Sequence, residues 1–263
     1  MTPQPDLSNV VTTLHDENLL PDDHKALLCV GSVARGWAND RSDYDLVVIT
    51  TTPFTTDRAR SLPVPLTPGT VPTVSLQVDN RRWEIKYWTD NQIDQLFAKI
   101  TWDRFDAGST SAKVLLDVEE LCLERLLTCL PLTGAQWVHH RCTQLNDSAF
   151  RAFAITRSLA GLDSALEDAL GQLATGDTES AVLSTRRAVG HIVDALLESK
   201  DCFGSAQPKW RARRFRQTAP AELSFDTYWA LETMRDFDPE NPEHWIRRTA
   251  ELCTQLCMEV EVR

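Results

Sequence analysis

Asp43 and Asp45 are the pair of residues in this chain best placed to do chemistry together. They stand two positions apart at the head of the apolar run Asp45-Leu46-Val47-Val48-Ile49-Thr50, which reads as a strand. A strand's period of two projects both carboxylates from one face. Like charges side by side repel, and a divalent cation relieves the repulsion. Carboxylate oxygens are hard donors, so Mg²⁺ is the natural guest, with nucleotide phosphates completing its shell. Gly31-Ser32 lies ten residues upstream of this pair, at the end of another apolar run. Glycine is sparse, ten in 263 residues, yet Gly31 and Gly36 fall close together, which suggests a close backbone approach or a turn needing positive φ.

These residues need flanking elements to hold them. Residues 26–32 read as the end of a helix or as a buried strand, and 45–50 as a strand. Residues 73–80 and 81–88 read as two strands joined by a turn at Asp79-Asn80, with Glu84, Lys86 and Trp88 on one face of the second. The proline-rich stretch 51–72 is expected to be a mobile loop. A helix is expected over 89–100, with Thr89 as N-cap and Ile93, Leu96, Phe97 and Ile100 on one face.

Near residue 105 the chain changes character. Helical periodicity dominates beyond it, over about 113–130, 144–174, 178–200, 220–236 and 242–260. Gly176 closes the second of these, Asp177 caps the third, and Pro239 and Pro242 break the chain before the last.

The segment GSVARGWANDRSDYDL, residues 31–46, resembles the signature of the DNA polymerase β-type nucleotidyltransferase superfamily: Gly-Ser, ten residues, Asp-x-Asp, then an apolar strand. It is closest to the small members of that superfamily, the aminoglycoside and lincosamide nucleotidyltransferases and the minimal nucleotidyltransferase toxins. The resemblance is strong over 26–50, weaker to about 100, and only in outline beyond. It implies an α+β fold: a small mixed-sheet nucleotidyltransferase core over 1–105 as catalytic domain, followed by an α-helical bundle over 106–263 as substrate-binding domain.

The resemblance also implies a third carboxylate from a later strand. Glu84 is the choice, and Asp79 is its rival in the turn; the superfamily often has Asp at this place. Asp43, Asp45 and Glu84 would then bind two Mg²⁺ ions, with Glu84 as metal ligand, general base or both. Gly31 and Ser32 would cradle the β- and γ-phosphates of ATP or another nucleoside triphosphate. Arg35, Arg41 and Lys86 are candidates to neutralise the leaving pyrophosphate, and Ser42 to start the strand or orient Asp43. The expected reaction moves a nucleoside monophosphate, AMP first, onto a hydroxyl of a small molecule, in an antibiotic-modifying or biosynthetic role. Two rivals stand beside it: a toxin or regulator that nucleotidylates a protein or tRNA, and a catalytically silent nucleotide-binding module.

Residues 209–216, KWRARRFR, hold five basic residues in eight with Trp210 and Phe215 between them. They read either as a basic helix with its aromatics in the core, or as a triphosphate or substrate contact through Lys209 and Arg213. The net charge of −11 counts against a protein that coats nucleic acid, though tRNA stays open as an acceptor. No apolar run reaches membrane-span length, and the N-terminal residues have no signal-peptide pattern, so a cytoplasmic place is expected. Seven scattered cysteines without a Cys-x-x-Cys pair, and adjacent His139 and His140, read as structural or surface residues. Acceptor identity, choice of base and oligomeric state have no signature in the chain.

Overall fold

Short β-branched runs between turns close their backbone hydrogen bonds by pairing with one another. The computed structural model describes residues 6–108 and 114–263, and its strands form a six-stranded mixed sheet. The chain divides into two units: residues up to Thr101 with Leu115–Ser148, and Trp102–Val114 with Ala149–Arg263.

The first unit opens with α1 (Val10–Asp16) and β1 (Ala26–Val30), whose five residues are all buried, so 26–30 is a strand rather than a helix end. A single helical turn, α2 (Gly31–Ala34), leads to β2 (Tyr44–Thr50). Then come β3 (Arg60–Pro63), β4 (Thr70–Val78) and β5 (Arg81–Thr89), followed by α3 (Asp90–Lys99). The chain leaves this unit through α4 (Trp102–Asp106) and returns as α5 (Asp117–Thr128), β6 (Leu130–Thr133) and α6 (Ala135–Asp147). The strand order is β3-β4-β5-β2-β1-β6; β2 and β5 are parallel and every other pair is antiparallel.

Several elements follow directly from local chemistry. Asp79 and Asn80 both have positive φ, 45° and 61°, the conformation of a turn whose twist matches that of a two-residue hairpin. Thr89 caps α3 in a capping box with Gln92, and the same Gln92 amide donates to the carbonyls of Pro68 and Thr70. Leu14, Leu27, Leu46, Val48, Val74, Ile85 and Tyr87 form the apolar core of this unit.

Two elements of this unit differ from the sequence expectation. The stretch 51–72 is not all loop: Arg60–Pro63 pairs with β4 as the outer strand, where proline costs no interior hydrogen bond. Residues 130–133 lie just beyond a helical pattern, yet they add a strand to β1 on its far side. A cut near 105 would therefore separate Leu115–Ser148 from the sheet that it completes. Gly134 permits the join: its φ is +69°, and a Cβ there would lie 2.1 Å from the Lys25 carbonyl oxygen.

The second unit is helical. It contains α4, α7 (Phe150–Ala174), α8 (Thr178–Glu198), a 3₁₀ turn (Pro208–Trp210), α9 (Arg211–Thr218), α10 (Phe225–Glu232) and α11 (Pro242–Cys257). The expected helix over 144–174 is two helices, α6 and α7, with the break at Ser148-Ala149. Asp177 caps α8 by accepting from the Ser180 amide at 3.2 Å, after Gly176 at φ +84°. Helices α7 and α8 approach closely at Gly161, where a Cβ would meet the His191 ring at 2.7 Å. No helix among the described residues is long and apolar enough to cross a membrane.

Candidate active site

Asp45 sits second in β2, directly opposite Glu84 across the parallel β2–β5 pairing. Residues opposite each other on neighbouring strands project their side chains to the same face. Tyr44 between the aspartates turns the other way: it is buried, and its hydroxyl donates to the Asp6 carbonyl at 3.0 Å. Asp43 precedes the strand and is more exposed than Asp45. The turn before it is closed by Ser42, whose Oγ accepts from the Asn39 amide at 2.9 Å, so Ser42 holds the approach to the aspartates.

Gly31 follows β1 at φ +71°, and a Cβ on it would lie 2.5 Å from Asp45 Oδ2. The Gly31 backbone therefore lies against the Asp45 carboxylate, where no side chain fits. Ser32 belongs to the same turn. With only four residues, α2 supplies amide donors rather than a developed helix dipole.

Each carboxylate has a basic partner. Arg82 Nη2 donates to Glu84 Oε2 at 3.1 Å, and Arg82 Nε lies 3.5 Å from Asp43 Oδ2. Lys86 Nζ donates to Glu84 Oε1 at 2.5 Å. Arg125 Nη2, from α5, donates to Asp45 Oδ1 at 3.2 Å. Burial pushes the Glu84 carboxyl up, but the hydrogen bonds and charges of Lys86 and Arg82 outweigh burial and hold it below the usual carboxylate range. Helix α5 is itself fixed to α3, because the wholly buried Glu119 accepts from Lys99 at 2.6 Å. Cys122, also on α5, is a buried thiol pushed up to about 12 by desolvation, which fits a packing role.

The other expected residues have partners or settings of their own. Arg35 stacks on Trp37 at 4.8 Å, and Arg41 is exposed on the turn before Ser42. Asp79 occupies the hairpin turn beyond Arg81, whereas Glu84 has the register with Asp45. Lys209 belongs to the second unit and lies over the Trp210 ring at 5.7 Å. The rest of that basic run also meets internal partners: Arg213 lies over Trp210, Arg216 over Phe225, and Arg211 and Arg214 pair with Asp194. Sequence reasoning missed Arg82 and Arg125. Arg82 had a signal, since it shares the period-two face of Glu84, whereas Arg125 arrives by a contact across 80 residues.

The donors fit a hard divalent cation in their chemistry, since Asp43 and Asp45 offer carboxylate oxygens beside a Gly31 backbone that leaves room. The fit extends to the aspartate pair only. Among the described residues no three Asp, Glu, His or Cys side chains are gathered as a metal-binding group, and Glu84 is held by Lys86 and Arg82.

No known family pattern matches this sequence, and no curated protein matches it. A solved structure does: the nucleotidyltransferase-like protein from Exiguobacterium sibiricum 255-15 aligns over 97% of this chain and 75% of its own, at 13% identity and a TM-score of 0.54. The β2–β5 pairing that sets Asp45 beside Glu84 thus lies within an α+β fold of the nucleotidyltransferase-like kind, a mixed sheet followed by helices.

Proposed function

We propose that the protein transfers a nucleoside monophosphate, most simply AMP from ATP, to a hydroxyl of a small molecule and releases pyrophosphate. The observation that carries this reading is the placement of Asp45 opposite Glu84 on parallel strands, with the Gly31 backbone packed on Asp45, in a nucleotidyltransferase-like fold. The sheet unit carries the chemistry, and acceptor recognition is assigned to the helical unit.

The acceptor oxygen attacks the α-phosphorus, the bond from the α-phosphorus to the bridging oxygen breaks, and pyrophosphate leaves with that bond's electron pair. Asp43 and Asp45 would hold a divalent cation such as Mg²⁺, which supplies neutralisation of the phosphate oxygens. Glu84, ionised and beside Asp45, accepts the acceptor's hydroxyl proton. The amides of Gly31 and Ser32 donate to phosphate oxygens, and Lys86 offsets charge on the leaving group. The segment 209–216 lends little to the tRNA or protein-acceptor reading, because each of its five cations lies on an acid or a ring of its own unit.

The test is incubation with Mg²⁺, each labelled nucleoside triphosphate in turn, and a panel of hydroxyl-bearing small molecules, tRNA and protein. Label on a small molecule with stoichiometric pyrophosphate is the expected result. Label on tRNA or protein would replace the small-molecule reading, and tight nucleotide binding without turnover would indicate a silent module.

A further inference from the structure

The three carboxylates of the candidate site face three cations. Arg82 bridges Asp43 and Glu84, Lys86 holds the other oxygen of Glu84, and Arg125 holds Asp45. The side chains of Lys86, Arg125, Asp45 and Glu84 retain between 16% and 26% of their surface, so the group is open to solvent on one side rather than sealed in the core. In a chain of net charge −11, this site is locally balanced. Three chain segments contribute to it: Asp43 and Asp45 lie at the head of β2, Arg82 and Lys86 flank Glu84 on one face of β5, and Arg125 reaches in from α5.

A guanidinium or ammonium group against a carboxylate weakens its hold on a divalent cation, by charge repulsion and by taking one of its lone pairs; here Arg125 lies on Asp45 Oδ1 and Arg82 near Asp43 Oδ2. A nucleoside triphosphate changes that competition, because its phosphate oxygens are charged acceptors that suit the planar fork of arginine and the point charge of lysine. Resting on the nucleotidyl-transfer reading, we infer that Arg82, Lys86 and Arg125 serve two sets of partners in turn. Without nucleotide they neutralise Asp43, Asp45 and Glu84; with nucleotide they move to its phosphate oxygens and release the carboxylates. Metal and nucleotide affinities are then coupled, each raising the other through the same three side chains.

Mn²⁺ serves as the probe, with binding to the full chain measured by electron paramagnetic resonance in the absence of nucleotide. Arg125→Gln should tighten Mn²⁺ binding by about tenfold, since a cation at this range shifts a carboxylate's proton affinity by one or more orders of magnitude. Lys86→Gln should do the same, and Arg125→Lys should stay near wild type. In EDTA, both glutamine variants should bind α,β-methylene-ATP more weakly than wild type. Unchanged or weaker Mn²⁺ binding in both folded glutamine variants overturns the exchange, and so does unchanged nucleotide binding. Asp45→Asn separates this from the underlying reading. If Asp45→Asn abolishes Mn²⁺ binding while the glutamine variants leave it unchanged, only the exchange fails. If Asp45→Asn leaves Mn²⁺ binding as in wild type, the aspartate pair is not the metal site and both fail. Circular dichroism of each variant reports folding, and Lys86→Gln, on the sheet face, keeps the test decisive should Arg125→Gln unfold.

Discussion

Two acid–base networks, one in each unit, are similar in make-up and opposite in setting. In the sheet unit, Asp43, Asp45 and Glu84 meet Arg82, Lys86 and Arg125 at a half-open face. In the helical unit, Asp194 accepts from Arg211 Nε at 3.1 Å and Nη2 at 2.8 Å, and pairs with the wholly buried Arg214, whose Nη1 donates to the Cys202 carbonyl at 3.0 Å. One helical turn on, buried Glu198 accepts from Ser158 at 2.7 Å, with Arg157 at 3.8 Å. A sealed network is committed to its own partners, because breaking it strands a charge away from water. An open network can exchange partners at modest cost. Exposure, rather than residue type, separates the structural set from the candidate reactive one.

The largest expected effect breaks the sealed side. Asp194→Ala should cost about 3–5 kcal/mol in denaturant unfolding, because it leaves the wholly buried Arg214 without its anion and Arg211 with only the more distant Glu232. A loss below about 1 kcal/mol would mean that the buried set is not committed. Asp45→Asn should act the other way round: label transfer falls on the order of 10²–10³-fold, while unfolding free energy changes by less than about 1 kcal/mol. Equal losses of activity and stability would erase the contrast.

Protonation sharpens the comparison by sign. Burial and the charge of Asp194 push Glu198 up to about 7 from 4.5, against the opposing Arg157 charge and the hydroxyls of Ser158 and Ser205. A carboxyl raised in the folded state binds its proton more tightly there, so stability falls as pH rises from 4.5 towards about 7. Glu198→Gln should flatten that slope by at most about 3 kcal/mol across the window. Taking the difference from wild type removes the contribution of His191, which burial holds low. Glu84 is depressed instead, so its contribution is present above the ordinary carboxylate range and is lost as pH falls through its lowered value. The smallest effect belongs to a fully open pair: Arg247→Ala, which removes the Glu243 contact on α11, should change stability by about 0.5 kcal/mol or less.

What could be read from the chain follows the range of the interaction. The hairpin at Asp79-Asn80, the Thr89 cap and the Asp177 cap are set by neighbours within a few residues, and local sequence exposes them. Glu84 is singled out in the sequence as the acid on the strand after the hairpin, where the resemblance implies a third carboxylate, but its place opposite Asp45 comes from the parallel β2–β5 pairing, which local periodicity does not reveal. Strand β6 and Arg125 were not found, since helical periodicity over 117–128 carries no sign of which sheet edge or carboxylate it will meet. The basic run at 209–216 misleads for the same reason. Its composition suggests a surface, yet Arg214 has none, and the difference lies in Asp194, which is distant in the chain.

The late arrival of β6 also sets the smallest piece of chain that can stand alone. A fragment ending near residue 105 keeps the aspartates and Glu84 but loses Arg125, and it leaves one whole edge of β1 unpaired. That edge runs along Ala26–Val30, five apolar residues with no charge among them, the kind of open strand that recruits other chains. Trimming at the apparent composition boundary would thus trade a folded core for an aggregation template, whereas a piece running through Ser148 keeps its edge covered.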